Sequence, residues 1–450
     1  MAGIMLARRA ALACDVGTEG SFTSGNVAIA DATVPVYDLT IATTVAQFAR
    51  TPARGSILGH SSSIPGARFA TVTFSVDLKG SGAAGTAPKI GKLLRACGMS
   101  QTLNTGTSSV GSTSFVYSSR PDGSEPDYTF DVQIATWNGA KSGRLQSVVT
   151  AKTSDTNVTF THTFAPSDGT AGAMETTVHT NTGAVAFAGA SALIDDLTAS
   201  VTVSPATETD GFDIGDTWIT YLTGTEDVDS VYAISNSAHS CLDLAAYFVD
   251  GDAAFRGVRL HSARGTFTAT MEVGQPVRLN FTFMGVWNDS AGIVDSTTWV
   301  TTQAFDDTVP PAFMGVTFTV AASAQPCFTT CSLDLGAQVA MRGCAAETTG
   351  YKAADITGFN TTFGFNPVAA LAATSNPYTA VIAGTLSALS LAIGSTAGNI
   401  ITITAPKFQR NSISQQVTDD MFRDQITGSL VAGEYSADGT GYVPLTISFT

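Results

Sequence analysis

Apolar and polar residues alternate with a period of two along much of this 450-residue chain, and no other feature constrains its fold as strongly. Between Phe69 and Leu78, Val72, Phe74, Val76 and Leu78 fall on one side, and Thr71, Thr73, Ser75 and Asp77 on the other. That is the pattern of a strand with one buried and one wet face. The same alternation places Phe267, Ala269 and Met271 before Gly274-Gln275-Pro276, and Val277, Leu279, Phe281 and Phe283 after it, which predicts a hairpin. A second hairpin is expected where the strand from Thr129 runs through Trp137 into Asn138-Gly139, a dipeptide that tolerates the positive φ of a type I′ turn. Val316–Val320, Cys331–Leu335, Ile400–Ile403 and Leu445–Phe449 repeat the pattern, and Leu242–Phe248 also reads as strand. The expected class is mainly β.

One helix interrupts this background. Ile90, Leu93, Leu94 and Cys97 follow helical spacing, with Thr86 placed to cap, Pro88 in the first turn and Gly98 at the end. Lys89, Lys92 and Arg95 are expected on its exposed side. The most apolar long stretch, Val368 to Ile393, is broken by Asn376, Pro377 and Gly384, so it reads as two or three short elements and not as a membrane span.

Two passages resemble each other. Phe115-Val-Tyr117 and Ser230-Val-Tyr232 each lead through a polar turn to a strand and a hairpin turn, so the chain is expected to leave and return at nearly one place. This predicts a discontinuous core, residues 1–117 and 229–450, with an inserted β domain at 118–228 placed on the outer surface. Strands within the insert are expected at Asn157–Phe164, Val185–Phe187, Leu197–Val203 and Trp218–Tyr221.

Charge narrows the function. Only 13% of residues are charged while 44% are hydrophobic, which covers an isolated monomer poorly. The net charge of −15 argues against a phosphate-binding surface. Arg8-Arg9 before Ala-Ala-Leu-Ala-Cys14 imitates an export signal, but the apolar run is too short for one. Six cysteines, at 14, 97, 241, 327, 331 and 344, form no CxxC pair and are expected to be buried free thiols. Cys327 and Cys331 on one strand would lie about 13 Å apart, too far for a disulfide. Asp213 with Asp216, and Asn288-Asp289, have calcium-ligand chemistry but read more simply as turn formers. Asp195-Asp196 and Asp306-Asp307 read as solvated loop charge, and no nucleophile, base or phosphate-loop motif is found. No enzyme, cofactor or metal site is expected.

The run Phe48-Ala-Arg50 to Gly55-Ser56, then Gly66-Ala-Arg68, Leu78-Lys-Gly80-Ser-Gly82 and Pro88–Leu94 followed by Arg95-Ala-Cys97-Gly98 resembles the major tail tube proteins of long-tailed bacteriophages. Ala263–Phe267, the turn at Gly274, Leu279–Gly285, Pro311-Ala-Phe313 and Gly398–Lys407 continue that pattern in order. The resemblance implies a β-sandwich whose strands close with those of neighbours into an intersubunit β-barrel. It also implies hexameric rings stacked into a tube, in the virion tail, assembled in the host cytoplasm. Tail terminator, distal tail and tape measure proteins would be partners, and DNA would pass through the lumen without specific binding. Six copies would carry 6 × −15 = −90, which suits a conduit that repels phosphate. The ring-closing sheet is expected to include Phe69–Leu78 and the hairpin from Arg264 to Phe283. Phe74, Phe281, Gly80, Gly82 and Gly85 are the expected assembly residues, and Asp77 is expected to face the lumen. The loop from Lys79 to Pro88 is expected to be free in the monomer and to order against a neighbour. The competing class is a secreted or cell-surface β-sandwich, an adhesin or carbohydrate-binding module.

Overall fold

The computed structural model describes residues 10–20, 27, 32–50, 61–105, 109–110, 116–119, 128–133, 143–154, 157–166, 173–180, 183–186, 198–203, 214–223, 228–236, 239–249, 255–287, 293–296, 305–325, 327–369, 376–418, 420–432 and 443–450. The chain opens with β1 (Ala10–Gly17), β2 (Tyr37–Arg50), β3 (Ser61–Asp77), helix α1 (Gly91–Ala96) and β4 (Met99–Thr105). It continues through β5 (Ser109–Val110), β6 (Val116–Ser119), β7 (Tyr128–Gln133), β8 (Gly143–Ser154), β9 (Asn157–Pro166), β10 (Ala173–Thr180), β11 (Gly183–Ala186), β12 (Thr198–Val203) and β13 (Thr217–Thr223). Then come β14 (Val228–Ile234), β15 (Cys241–Val249), β16 (Phe255–Glu272), β17 (Arg278–Trp287), β18 (Ile293–Ser296), β19 (Thr317–Val320), β20 (Ser323–Ala324) and β21 (Phe328–Asp334). The last elements are β22 (Ala337–Gly343), β23 (Tyr351–Phe359), β24 (Thr362–Pro367), helix α2 (Pro377–Ile382), β25 (Leu386–Ile393), β26 (Ile401–Thr418), β27 (Met421–Leu430) and β28 (Thr446–Phe449). The protein is mainly β, and every strand pair whose register is defined is antiparallel.

The chain divides into two compact units, Met1–Thr102 with Ser230–Thr450, and Leu103–Asp229. The second unit begins ahead of residue 118 because β5 and β6 both pair with β13. Within it β10, β9, β8 and β13 follow one another in a sheet, and β11, β12 and β7 form another. The Asn138-Gly139 turn, Phe187 and Leu197 lie outside the described residues.

In the first unit β16 is the organising strand. Its 18 residues pair with β15 and then β21 along one edge, and with β18 and then β17 along the other. The ladder runs outward from β17 to β3 and β2, and from β21 through β24 and β27 to β26, β25 and β19. The turn joining β16 to β17 is where the alternation breaks: Gly274 takes φ +79°, which a side chain would disfavour. The inward residues meet in one core. The Phe74 ring lies 5.5 Å from that of Phe281 and 5.9 Å from that of Phe283, both stacked, and Phe267 closes on Phe281 at 5.6 Å.

Helix α1 lays Leu93 and Leu94 into this core, with Ile90 and Cys97 flanking it. It is shorter than the expected span. Thr86 does not cap it; Ile90 holds the capping position without a side-chain bond, and the Pro88–Gly91 turn precedes it. Gly98, at φ +87°, ends it as expected. No helix among the described residues is long and apolar enough to cross a membrane.

Candidate assembly surface

Strands β2 and β3 form a hairpin with two different ends. β3 is 17 residues long, but its pairing with β17 covers Phe69–Asp77 only. Beyond that, Ser61–Arg68 is paired with the far half of β2, where Phe48 stands opposite Ile64. Phe48 is 61% exposed and Ile64 50%, values that leave both uncovered by their own chain. The Phe48 ring lies over Gly66, where a Cβ would sit 2.4 Å from the ring, so a side chain there would displace the exposed ring. Among the described strands β2 pairs with β3 alone, leaving the other edge of a 14-residue strand open. Charge or a short length usually protects such an edge. Here only Asp38 and Arg50 are charged, and they sit at the ends.

The near end of the hairpin carries the polar face. Tyr37 donates its hydroxyl to Asp77 Oδ2 at 2.8 Å, and Arg278 donates Nε to Asp77 Oδ1 at 3.2 Å. The Arg278 guanidinium also lies 4.3 Å from the centre of the Tyr37 ring. The hydrogen bond to Asp77 pushes the Tyr37 phenol up. Asp77 is therefore a neutralised member of a three-residue cluster rather than a free surface charge. Phe74 and Phe281, on the opposite face, are buried in the chain's own core and present no surface of their own.

The loop after β3 departs from expectation. Gly80 donates its N–H to Asn399 Oδ1 at 2.7 Å, and Gly82 donates to the Gly398 carbonyl at 3.0 Å. A Cβ on Gly80 would meet that carbonyl oxygen at 2.1 Å, so the two backbones touch only because no side chain intervenes. Lys79 is buried and donates to the carbonyls of Asp306 and Thr308, with the Asp306 carboxylate at 3.5 Å. Asn399 also donates to the Val309 carbonyl at 2.8 Å. The loop is thus anchored to its own chain at residues 79, 80 and 82, and Asp306 is a buried partner rather than solvated charge. Gly82 to Ala84 remain exposed, and Gly85 is half-buried at φ +67°.

A charged quartet, none of it expected from the sequence, ties β1, β16 and the β22–β23 hairpin together. Buried Arg264 donates to Glu19 at 3.2 Å, to Asp355 at 2.9 Å, and to the carbonyls of His239 and Ala354. Arg342 pairs with the same two carboxylates. Burial raises the Glu19 carboxyl, but the hydrogen bonds and charges of Arg342 and Arg264 outweigh it, so its pKa lies below the ordinary value.

Two histidine–serine pairs have the composition of a nucleophile and base without the setting. Ser147 Oγ lies 2.8 Å from His162 Nδ1, but the two residues are 1% and 0% exposed, which bars a substrate. Ser262 Oγ lies 3.1 Å from His261 Nδ1, yet it already accepts the Gly20 N–H at 2.8 Å and is wholly buried. All six cysteines are free; Cys14, Cys97, Cys241 and Cys331 are buried as expected, whereas Cys327 is exposed and Cys344 half-buried. Burial pushes the thiols of Cys97, Cys241 and Cys331 up, away from the reactive thiolate. No cluster of metal-ligating side chains occurs among the described residues. Asp213, Asn288, Asp289, Asp195 and Asp196 lie outside them.

No known family model matches the chain. No curated protein matches it either.

Proposed function

We propose that this chain is a structural subunit that polymerises with copies of itself, as stacked hexameric rings, into the tail tube of a long-tailed bacteriophage. The observation that carries the reading is the open, nearly uncharged edge of β2 beside uncovered Phe48 and Ile64. In an isolated monomer such an edge leaves N–H and C=O groups without strand partners and invites pairing with another chain. Closure with neighbours satisfies those groups and covers the two side chains. The order of short motifs that resembles tail tube proteins and the low charge support the same reading, and the wet face of β3 and β17, with Asp77 on it, would line the conduit. The unit Leu103–Asp229 elaborates this subunit without contributing to ring closure. Electron micrographs of the purified full chain test the proposal: hollow tubes of uniform width are expected, and dispersed monomers at every concentration would refute it. Replacing Leu103–Asp229 by a short Gly-Ser linker should leave tube formation intact.

A further inference from the structure

We propose that the cavity beside α2 is a carboxylate-binding site anchored by Arg410. The cavity holds about 200 Å³ and lies among β19, β20, β26 and β27 and the start of α2. Arg410, on β26 opposite Gly428, forms part of its wall. Its Nε is buried without a hydrogen-bond partner, and the guanidinium makes no ion pair among the described residues. The Nε of Arg264 and of Arg423 is likewise buried without a partner, but these two and buried Lys79 have acceptors at their terminal nitrogens, which Arg410 has not among the described residues. Lys79 has Asp306 and two carbonyls, Arg264 has two carboxylates and two carbonyls, and Arg423 donates to the carbonyls of Cys327 and Asn366. The Nε–H is thus the part of Arg410 that burial leaves without an acceptor, and an anion entering the cavity would complete it at lower cost than leaving it bare. Burial holds the Arg410 pKa below its ordinary value, in keeping with that missing partner.

The rest of the wall narrows the anion. Asn376 spends its Oδ1 on the Thr379 N–H at 3.4 Å, which leaves its amide N–H₂ to donate, and the Ser323 hydroxyl offers another donor. Val320 and Ile426 supply apolar walls. Asp424, 5% exposed, also lines the cavity, but its Oδ1 accepts from Gln415 at 3.3 Å, and it lies beyond ion-pair distance of Arg410. A fixed carboxylate there repels a doubly charged phosphate more than a singly charged group. A planar carboxylate on a short aliphatic stem matches the guanidinium fork, the neutral donors and the apolar walls.

The carboxylate has two sources, a free short-chain acid or an Asp or Glu side chain of a second copy. The second source rests on the tube reading, and is favoured by 37 acidic against 22 basic side chains in each copy. The test titrates the full chain with sodium propionate against sodium chloride at constant ionic strength, following the Arg410 Nε–Hε resonance and the melting temperature. A saturable response is expected in the native chain, lost in Arg410→Gln and weakened about tenfold in Arg410→Lys, which keeps the charge but not the fork. If a second copy supplies the carboxylate, propionate raises the concentration needed for polymerisation and Arg410→Gln raises it about tenfold. If a free acid does, polymerisation is unchanged while the titration still saturates. No propionate response distinct from chloride, or an equal one in Arg410→Gln, overturns the proposal. Absence of tubes from the native chain would overturn the tube reading alone, since the titration is read on the monomer.

Discussion

The two ends of the β2–β3 hairpin share one ladder of hydrogen bonds and differ in what lies beneath them. At the near end β3 is held by β17, with Phe74 stacked on Phe281 below and the Tyr37–Asp77–Arg278 cluster above. At the far end Phe48 and Ile64 face solvent where, among the described strands, β2 and β3 pair only with each other. An isolated two-stranded ribbon is marginal in water, so the near end owes its stability to burial, and on the proposed assembly the far end would be completed by a neighbouring copy. On that reading the same backbone pattern serves folding at one end and association at the other.

The largest expected effect is at the near end. Phe74→Asp places an unpaired charge within the aromatic stack and should abolish folding, read as loss of cooperative thermal unfolding. Phe281→Ala should cost about 3–5 kcal/mol in denaturant unfolding. Next is the buried pair that anchors the loop after β3. Asp306→Ala leaves buried Lys79 with its two main-chain carbonyls but no counter-charge and should cost about 3 kcal/mol, while Lys79→Met with Asp306→Leu should be far closer to neutral. Equal losses in the single and double variants would break the assignment of a buried pair.

Acid should act on the junction of β1, β16 and β23. Burial holds the His261 pKa below its ordinary 6.5, so its neutral form favours folding and the benefit declines as the pH falls below 6.5. Glu19 contributes stability that is full above the ordinary 4.5 and is lost as the pH falls through its lower folded value. Melting temperature measured from pH 7 to 3 should fall first with His261 and then with Glu19. Glu19→Gln should remove the second step, and His261→Gln the first.

The smallest effect on the monomer is expected at the far end. Phe48→Ser with Ile64→Ser should change monomer stability by no more than about 0.5 kcal/mol per site, yet prevent polymerisation. A large stability loss would show that the far end is part of the core.

Legibility followed burial. β15, β17, β21, the Phe69–Asp77 half of β3 and the Phe267–Met271 part of β16 could be read from the sequence because one face of each, or nearly all of it, is apolar and packed. β2 could not, since Tyr37–Arg50 is largely exposed on both faces and has no alternation to find. The α1 stripe was readable, but its start was not, because the Pro88–Gly91 turn displaced the cap expected at Thr86. Polar anchors were hidden by distance along the chain: Lys79 and the Asp306 carbonyl are 227 residues apart, and Arg264 and Glu19 are 245 apart. Gly80 and Gly82 stood out as small residues in a loop, but the sequence offered no sign that Gly398 and Asn399 would meet them.

Hydrogen exchange on β2, compared between dilute monomer and concentrated protein, tests the central claim most directly. The account predicts that the outward amides of Val45–Arg50 gain protection on assembly, while those of Thr71–Val76 on β3, already held between β2 and β17, stay unchanged. Equal exchange of the β2 amides in both states, with tubes present, would contradict an assembly role for this edge.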